Sequence, residues 1–251
     1  MDITSFSLEQ VKKGLHKAEE KTENIEQPIR LIFSPGKINE ENFHKVCSSY
    51  CRLNSDDYNS VIIIESRPGE ADRKLTMPST SEIETPFGTV KLNDKLRNDF
   101  ADEDDDFFIN DEAFTSGRSI QGPLMMMQTI MDDFSALLIQ MTDENSFIVR
   151  ELANALAEIT MSNSALVIFC CDLEAANSED LNKILHVVNS GNESGLMNLL
   201  NRGEIDFNGV GTFVAGILYA QKMKLKVEFP NGDSGKYISG YGIMQRQPIY
   251  G

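Results

Sequence analysis

Leu166-Val167-Ile168-Phe169-Cys170-Cys171-Asp172-Leu173-Glu174-Ala175-Ala176-Asn177 begins with five apolar residues, Leu166 to Cys170, that show no alternation. Such a run reads as a strand covered on both faces, the kind found inside a parallel sheet flanked by helices. Cys171, Asp172, Leu173 and Glu174 fall where the strand should end. Ligands and reacting groups of open α/β sheets gather at the carboxyl ends of their strands. Asp172 is therefore the first side chain to consider for chemistry. Adjacent Cys170 and Cys171 must point to opposite faces of a strand, so one at most can reach a crevice. With Asp172 and Glu174 beside them, neither thiol is set up to ionise, and both read as structural.

Outward from this run, strands and helices alternate. Upstream, Ile29-Arg30-Leu31-Ile32-Phe33 reads as a strand stopped by Ser34-Pro35-Gly36. Val61 to Ile64 reads as another, ended by Glu65-Ser66-Arg67-Pro68-Gly69, and Ala136 to Met141 as a third. Helical periodicity is expected from Asn39 to Leu53, from Ser119 to Met131 and from Ser146 to Met161. Leu181 to Leu200 should form one or two helices, interrupted at Gly191 and Gly195. Gly209 to Tyr219 should form a glycine-entered helix, followed by strands over Leu225–Phe229 and Tyr237–Met244. Residues 67–82 read as polar and irregular; Thr85–Leu92 reads as a turn and a short strand, and Asn93 as the cap of a helix running through Phe100. At the N-terminus, Ser7 and Gln10 have capping-box spacing ahead of an apolar stripe, Leu8, Val11, Leu15 and Ala18. The expected architecture is α/β: a single domain with a central, mostly parallel or mixed sheet flanked by helices. It should occupy residues 28–251, preceded by a helix and connector over 1–27.

Composition excludes several functions. The chain has 251 residues, 41% of them hydrophobic, and its 23 basic residues against 39 acidic ones leave a net charge of −16. Such a balance repels nucleic-acid backbones and anionic lipid surfaces, and no local basic patch offsets it. No apolar stretch is long enough for a membrane helix and no signal peptide opens the chain, so a soluble cytoplasmic protein is expected. Cys47, Cys51, Cys170 and Cys171 sit in apolar settings without a disulfide framework.

Other candidate sites are weak. His44, Cys47 and Cys51 share one helix face, but Phe43, Val46 and Tyr50 accompany them, which fits a helix packed on a sheet. Counting Asp102 as the first calcium ligand puts Phe107 at the sixth position and Ala113 at the twelfth, so the Asp102–Asp106 run is not an EF-hand loop. Gly232-Asp233-Ser234-Gly235-Lys236 has its glycines too close for a phosphate loop, and Gly209-Val210-Gly211 lacks the third glycine of a dinucleotide fingerprint. Met125, Met126, Met127 and Met131 read as adaptable core filler.

The order of elements and several short motifs resemble the Memo family, which includes the AmmeMemoRadiSam system protein B-like proteins. That family's fold is similar to the LigB-type (class III) extradiol dioxygenases. Thr85-Pro86-Phe87-Gly88-Thr89-Val90 is similar to the family's Thr-Pro-Leu-Gly turn and strand. Ile32-Phe33-Ser34-Pro35 resembles its Ala-Pro-His strand end, and Val61 to Ser66 the strand before its Gly-Pro-Ser-His-His. Ser119-Ile120-Gln121 with Leu124, Val167 to Asp172, and Asn208-Gly209 resemble three further motifs of the family. The resemblance implies a pocket that, in the family, gathers three histidines, an aspartate and a cysteine; the related dioxygenases hold iron there. Here it implies Gly36 for the first histidine, Pro68 and Gly69 for the His-His pair, and Ala175 at the position after Ser-Asp. Asn208 stands for the cysteine, and Arg118 and Gln121 for the histidine and glutamate of the Glu-His-Ser motif. Only Asp172 is kept.

The resemblance thus implies a vestigial pocket of Gly36, Pro68, Gly69, Arg118, Gln121, Asp172, Glu174, Ala175 and Asn208, with no metal, no cofactor and no catalytic residue. A protein-binding or structural role follows, with a protein partner, an intact Memo-like paralogue or a second copy of the chain. The alternative is an enzyme or small-ligand binder using a rebuilt polar pocket around Asp172, Arg118, Gln121 and Asn208. Arg118 opposite Asp172 could equally form a buried ion pair filling the old metal position.

Overall fold

A computed structural model of the chain describes all residues except 24, 104, 115–119, 177, 206, 231–236 and 246–251, and the side chains of 178, 188 and 189. Ten strands among the described residues form one mixed sheet: β1 (Ile29–Ser34), β2 (Ser60–Ser66), β3 (Leu75–Met77), β4 (Glu82–Thr85), β5 (Gly88–Leu92), β6 (Phe107–Ile109), β7 (Ser135–Met141), β8 (Ala165–Cys170), β9 (Leu225–Glu228) and β10 (Gly240–Met244). The order across it is β4-β5-β7-β2-β8-β1-β10-β9, with β3 on the carboxyl half of β7 and β6 beyond β3. The central strands β5, β7, β2, β8 and β1 run parallel, and the outer pairs β4/β5, β1/β10 and β10/β9 run antiparallel. The carboxyl ends of β1, β8, β2 and β7 therefore lie along one rim.

Among the described residues, eight α-helices cover the sheet: α1 (Leu8–Glu19), α2 (Phe43–Tyr50), α3 (Asp94–Glu103), α4 (Gln121–Ile130), α5 (Ser146–Met161), α6 (Ser178–Asn189), α7 (Glu193–Asn201) and α8 (Val210–Lys222). Strand β8 shows why both faces are needed. Leu166, Ile168 and Cys170 enter a core shared with α1, α2 and α4, while Val167, Phe169 and Cys171 enter one shared with α3 and α5 to α8. A continuous apolar run is what two cores on one strand require. Met125, Met126, Met127 and Met131 are buried on the α2 side. On the other side α8 lies so close that a Cβ on Gly216 would stand 2.5 Å from the Phe33 ring.

Several elements differ from the sequence reading. The helix expected over Asn39–Leu53 is shorter, because Asn39 and Asn42 spend their side chains on local turn hydrogen bonds before α2 begins. Residues 67–82 are not irregular throughout: β3 and the start of β4 lie there, too short to show a period. The Leu181–Leu200 region is two helices, parted at Gly191 in a left-handed conformation; Gly195 is no break but lies inside α7. The last strand starts at Gly240 rather than Tyr237. The capping box of Ser7 with Gln10 is present, and Asn93 accepts the Leu96 amide as a cap would. The Asn231-Gly232 turn and the Gly232–Lys236 loop lie outside the described residues. No helix among those described is long and apolar enough to cross a membrane.

Candidate functional site

The chain leaves β1 for α2 on one face of the sheet and leaves β8 for α6 to α8 on the other. Adjacent parallel strands whose connections depart to opposite faces open a crevice between their carboxyl ends, where ligands of such sheets settle. Ser34 and Cys170 are register partners at this point, so Gly36 and Asp172 stand at the crevice mouth.

The Asp172 carboxylate closes that mouth. One oxygen accepts the Gly36 backbone N–H at 2.9 Å, and the other accepts the Asn208 side-chain amide at 2.8 Å. The Asp172 N–H in turn donates to the Asn208 carbonyl at 2.9 Å. A short aspartate just past a strand can staple three segments in this way: the β1 loop, the β8 end and the approach to α8. Gly209 completes the approach with φ +81°; a Cβ there would lie 2.7 Å from the Cys170 carbonyl oxygen, so only glycine fits. The Thr212 hydroxyl lies 2.7 Å from that carbonyl and 2.8 Å from the Gly209 carbonyl.

A second carboxylate, which sequence reasoning missed, sits at the start of α8. Glu144 accepts the Ser66 hydroxyl at 2.6 Å and the Gly211 N–H at 2.9 Å with the same oxygen. Helix N-termini leave amide N–H groups unsatisfied and attract negative charge. Glu144 meets both needs from a loop after β7. No local sequence signal marks it, because the cap comes from a residue 67 positions away.

Beneath the crevice, on the α2 face, Glu65 is almost fully buried. It pairs with Arg67 at 3.0 Å and accepts the Gln140 amide, also at 3.0 Å. Gln140 is its register partner on β7. A polar residue near the end of an apolar run, Glu65 after Val61–Ile64 and Gln140 after Ala136–Ile139, was the available signal for both. Cys170 and Cys171 do point to opposite cores. Burial holds both thiols well above their ordinary range, reinforced by the Glu65 carboxylate for Cys170 and by Asp172 for Cys171.

Of the other residues named from sequence, Glu174 and Ala175 are exposed in the turn after Asp172, where the Ala175 N–H donates to the Asp172 carbonyl. Pro68 and Gly69 are exposed past β2, with the Gly69 N–H bonded to the Thr142 carbonyl. Gln121 opens α4 and donates its amide to the Glu84 carbonyl on the edge strand β4 rather than to Asp172. Arg118 lies outside the described residues, and with it the expected pairing with Asp172. His44 is exposed while Cys47 is buried, so that helix face does not converge on an ion.

The residues present do not fit the iron of the related dioxygenases. Gly36, Pro68, Gly69 and Ala175 offer no side-chain donor, and Asp172 is joined by the Gly36 N–H and the Asn208 amide rather than by further ligands. Among the described residues, no three His, Cys, Asp or Glu side chains are grouped so that they could hold a metal ion.

The family model described as "Memo-like protein" matches residues 9–239. A "MEMO1 family protein" of Nitrosopumilus maritimus (strain SCM1) is 22% identical over 127 residues, covering 50% of this chain and 46% of that protein. The chain thus spans about half the length of the curated relative it matches.

Proposed function

The chain belongs to the Memo-like protein family, and from that premise we propose that it is a catalytically degenerate member acting as a binding module. Residues 28–251 form the Memo-like unit in this reading, and 1–27 a helix and connector ahead of it. It works through protein contacts in the cytoplasm, with an intact Memo-like paralogue or a second copy of itself as candidate partners.

One observation carries the reading. Asp172, the single ligand-type residue kept at the family position, bonds the two groups that stand where the resemblance places a histidine and a cysteine: the Gly36 N–H and the Asn208 amide. A metal site needs several donor side chains converging on the ion. Here the carboxylate instead closes the crevice on itself and acts as a structural staple. The same change argues against a rebuilt small-ligand pocket, since Gln121 is also committed elsewhere.

Elemental analysis of protein purified from its own cells without added ions tests the loss of the metal. The expected result is iron, copper and zinc far below one equivalent. A tightly held stoichiometric metal that survives dialysis would overturn it. The binding role predicts a stoichiometric protein complex on gentle purification, read by mass measurement of the intact assembly; an isolated monomer with turnover of a small molecule would refute it.

A further inference from the structure

One transverse row of the sheet on the α2 face carries four polar side chains and a thiol. It runs Ser34 (β1), Cys170 (β8), Glu65 (β2), Gln140 (β7), Thr76 (β3), linked by the register pairs Ser34–Cys170, Glu65–Gln140 and Gln140–Thr76. All five residues are 3% exposed or less. At the centre the Glu65 carboxylate holds Arg67 and the Gln140 amide nitrogen. The two ends differ. Among the described residues, the Ser34 hydroxyl, the Tyr50 hydroxyl that α2 lays against it, the Gln140 side-chain oxygen and the Thr76 hydroxyl have no well-formed hydrogen bond. Burial holds the Tyr50 phenol well above its ordinary range, opposed in part by the neighbouring Ser34 hydroxyl.

Leaving a buried polar atom unbonded costs about 1–3 kcal/mol, and native interiors contain few such atoms. Here four fall into two facing pairs, at opposite ends of one row and roughly 14 Å apart across three strand intervals. Gln140 and Thr76 lie directly opposite each other, and Ser34 and Tyr50 belong to touching elements. Each pair combines a hydroxyl, able to donate and accept, with a second hydroxyl or a carbonyl oxygen, which is the set a buried water needs.

We propose that the row is a built hydration site binding two internal waters, one bridging Ser34 and Tyr50 and one bridging Gln140 and Thr76, on either side of the Glu65–Arg67 pair. The waters belong to the fold, independent of the binding role argued above.

A crystal structure of the full chain at high resolution should show one ordered water within about 3 Å of both members of each pair. A dry row, or a protein group taking these bonds, would overturn the proposal. Thr76→Val supplies a second readout, because valine matches threonine in shape but cannot bond a water. Bridged by water, Thr76 is needed, and the variant should melt about 2–4 °C lower. If the hydroxyl is an orphan in a dry row, its removal leaves the melting temperature unchanged or raises it, and that result would also sink the proposal.

Discussion

The Asp172 side chain carries two charge-assisted hydrogen bonds at 2.9 and 2.8 Å, and it is only partly buried. Bonds of that kind contribute more than neutral ones, though solvent takes up some of the loss when they are cut. Asp172→Ala should therefore lower unfolding free energy by about 2 kcal/mol in a urea titration, with the slope of the transition unchanged. Asp172→Asn keeps one acceptor for the Gly36 N–H but presents its own amide to Asn208, and should lose about half as much. A variant as stable as the natural chain would mean the carboxylate is held for a ligand and not for the fold. Sequence alone could place this aspartate at a strand end, since five apolar residues in front of it demand that. It could not show where its two oxygens are spent, because one partner is a backbone N–H 136 residues away.

Among the elements, α8 depends most on help from outside itself. Its N-cap is Gly209, which has no side chain to cap with, and Glu144 supplies the missing acceptor. Glu144→Ala leaves the Gly211 N–H and the Ser66 hydroxyl without that partner and removes negative charge from the helix start. The expected loss is about 1–2 kcal/mol, read from a chemical denaturation curve, whereas Glu144→Gln should retain most of the bond and lose less. Equal melting of Glu144→Ala and the natural chain would show that water caps α8 as well. Helices with long apolar periods, α5 above all, were legible residue by residue: the expected Ser146–Met161 is the observed span. The three- and four-residue strands β3 and β4 were not, because a period of two cannot establish itself over so few positions. Gly195 reads as a break by residue type, although Asn192 three residues before it is the N-cap whose side chain accepts its N–H.

For the molecule as a whole, buried thiols and tyrosines set the alkaline limit. Burial first, then the hydrogen bond to Glu228, pushes Tyr241 up to about 12 from an ordinary value of 10.0. Burial likewise raises Tyr50, Tyr58 and Tyr219. A phenol whose folded value is raised contributes stability in full below its unfolded value, and that contribution is lost as pH climbs through the folded one. The buried thiols, raised from an ordinary 9.0, begin this loss earlier, so melting temperature should hold up to about pH 9 and fall steadily toward pH 12. Tyr241→Phe should flatten part of that decline; a decline as steep as before would place the alkaline sensitivity elsewhere. The row of Ser34, Cys170, Glu65, Gln140 and Thr76 has a consequence of another kind, for alignment. Strands β2, β7 and β8 are otherwise nearly interchangeable ladders of Val, Ile and Leu, which could slide past one another at little cost in apolar contact. Because side chains alternate between faces, a slip of one residue in β2 would carry the Glu65 carboxylate to the face of Phe33 and Phe169, away from Gln140. An ionised carboxylate in an apolar setting is far costlier than any lost methyl contact. The polar row thus acts as a key cut into the sheet: it turns in one register only, and every strand that contributes a tooth is locked to its neighbours.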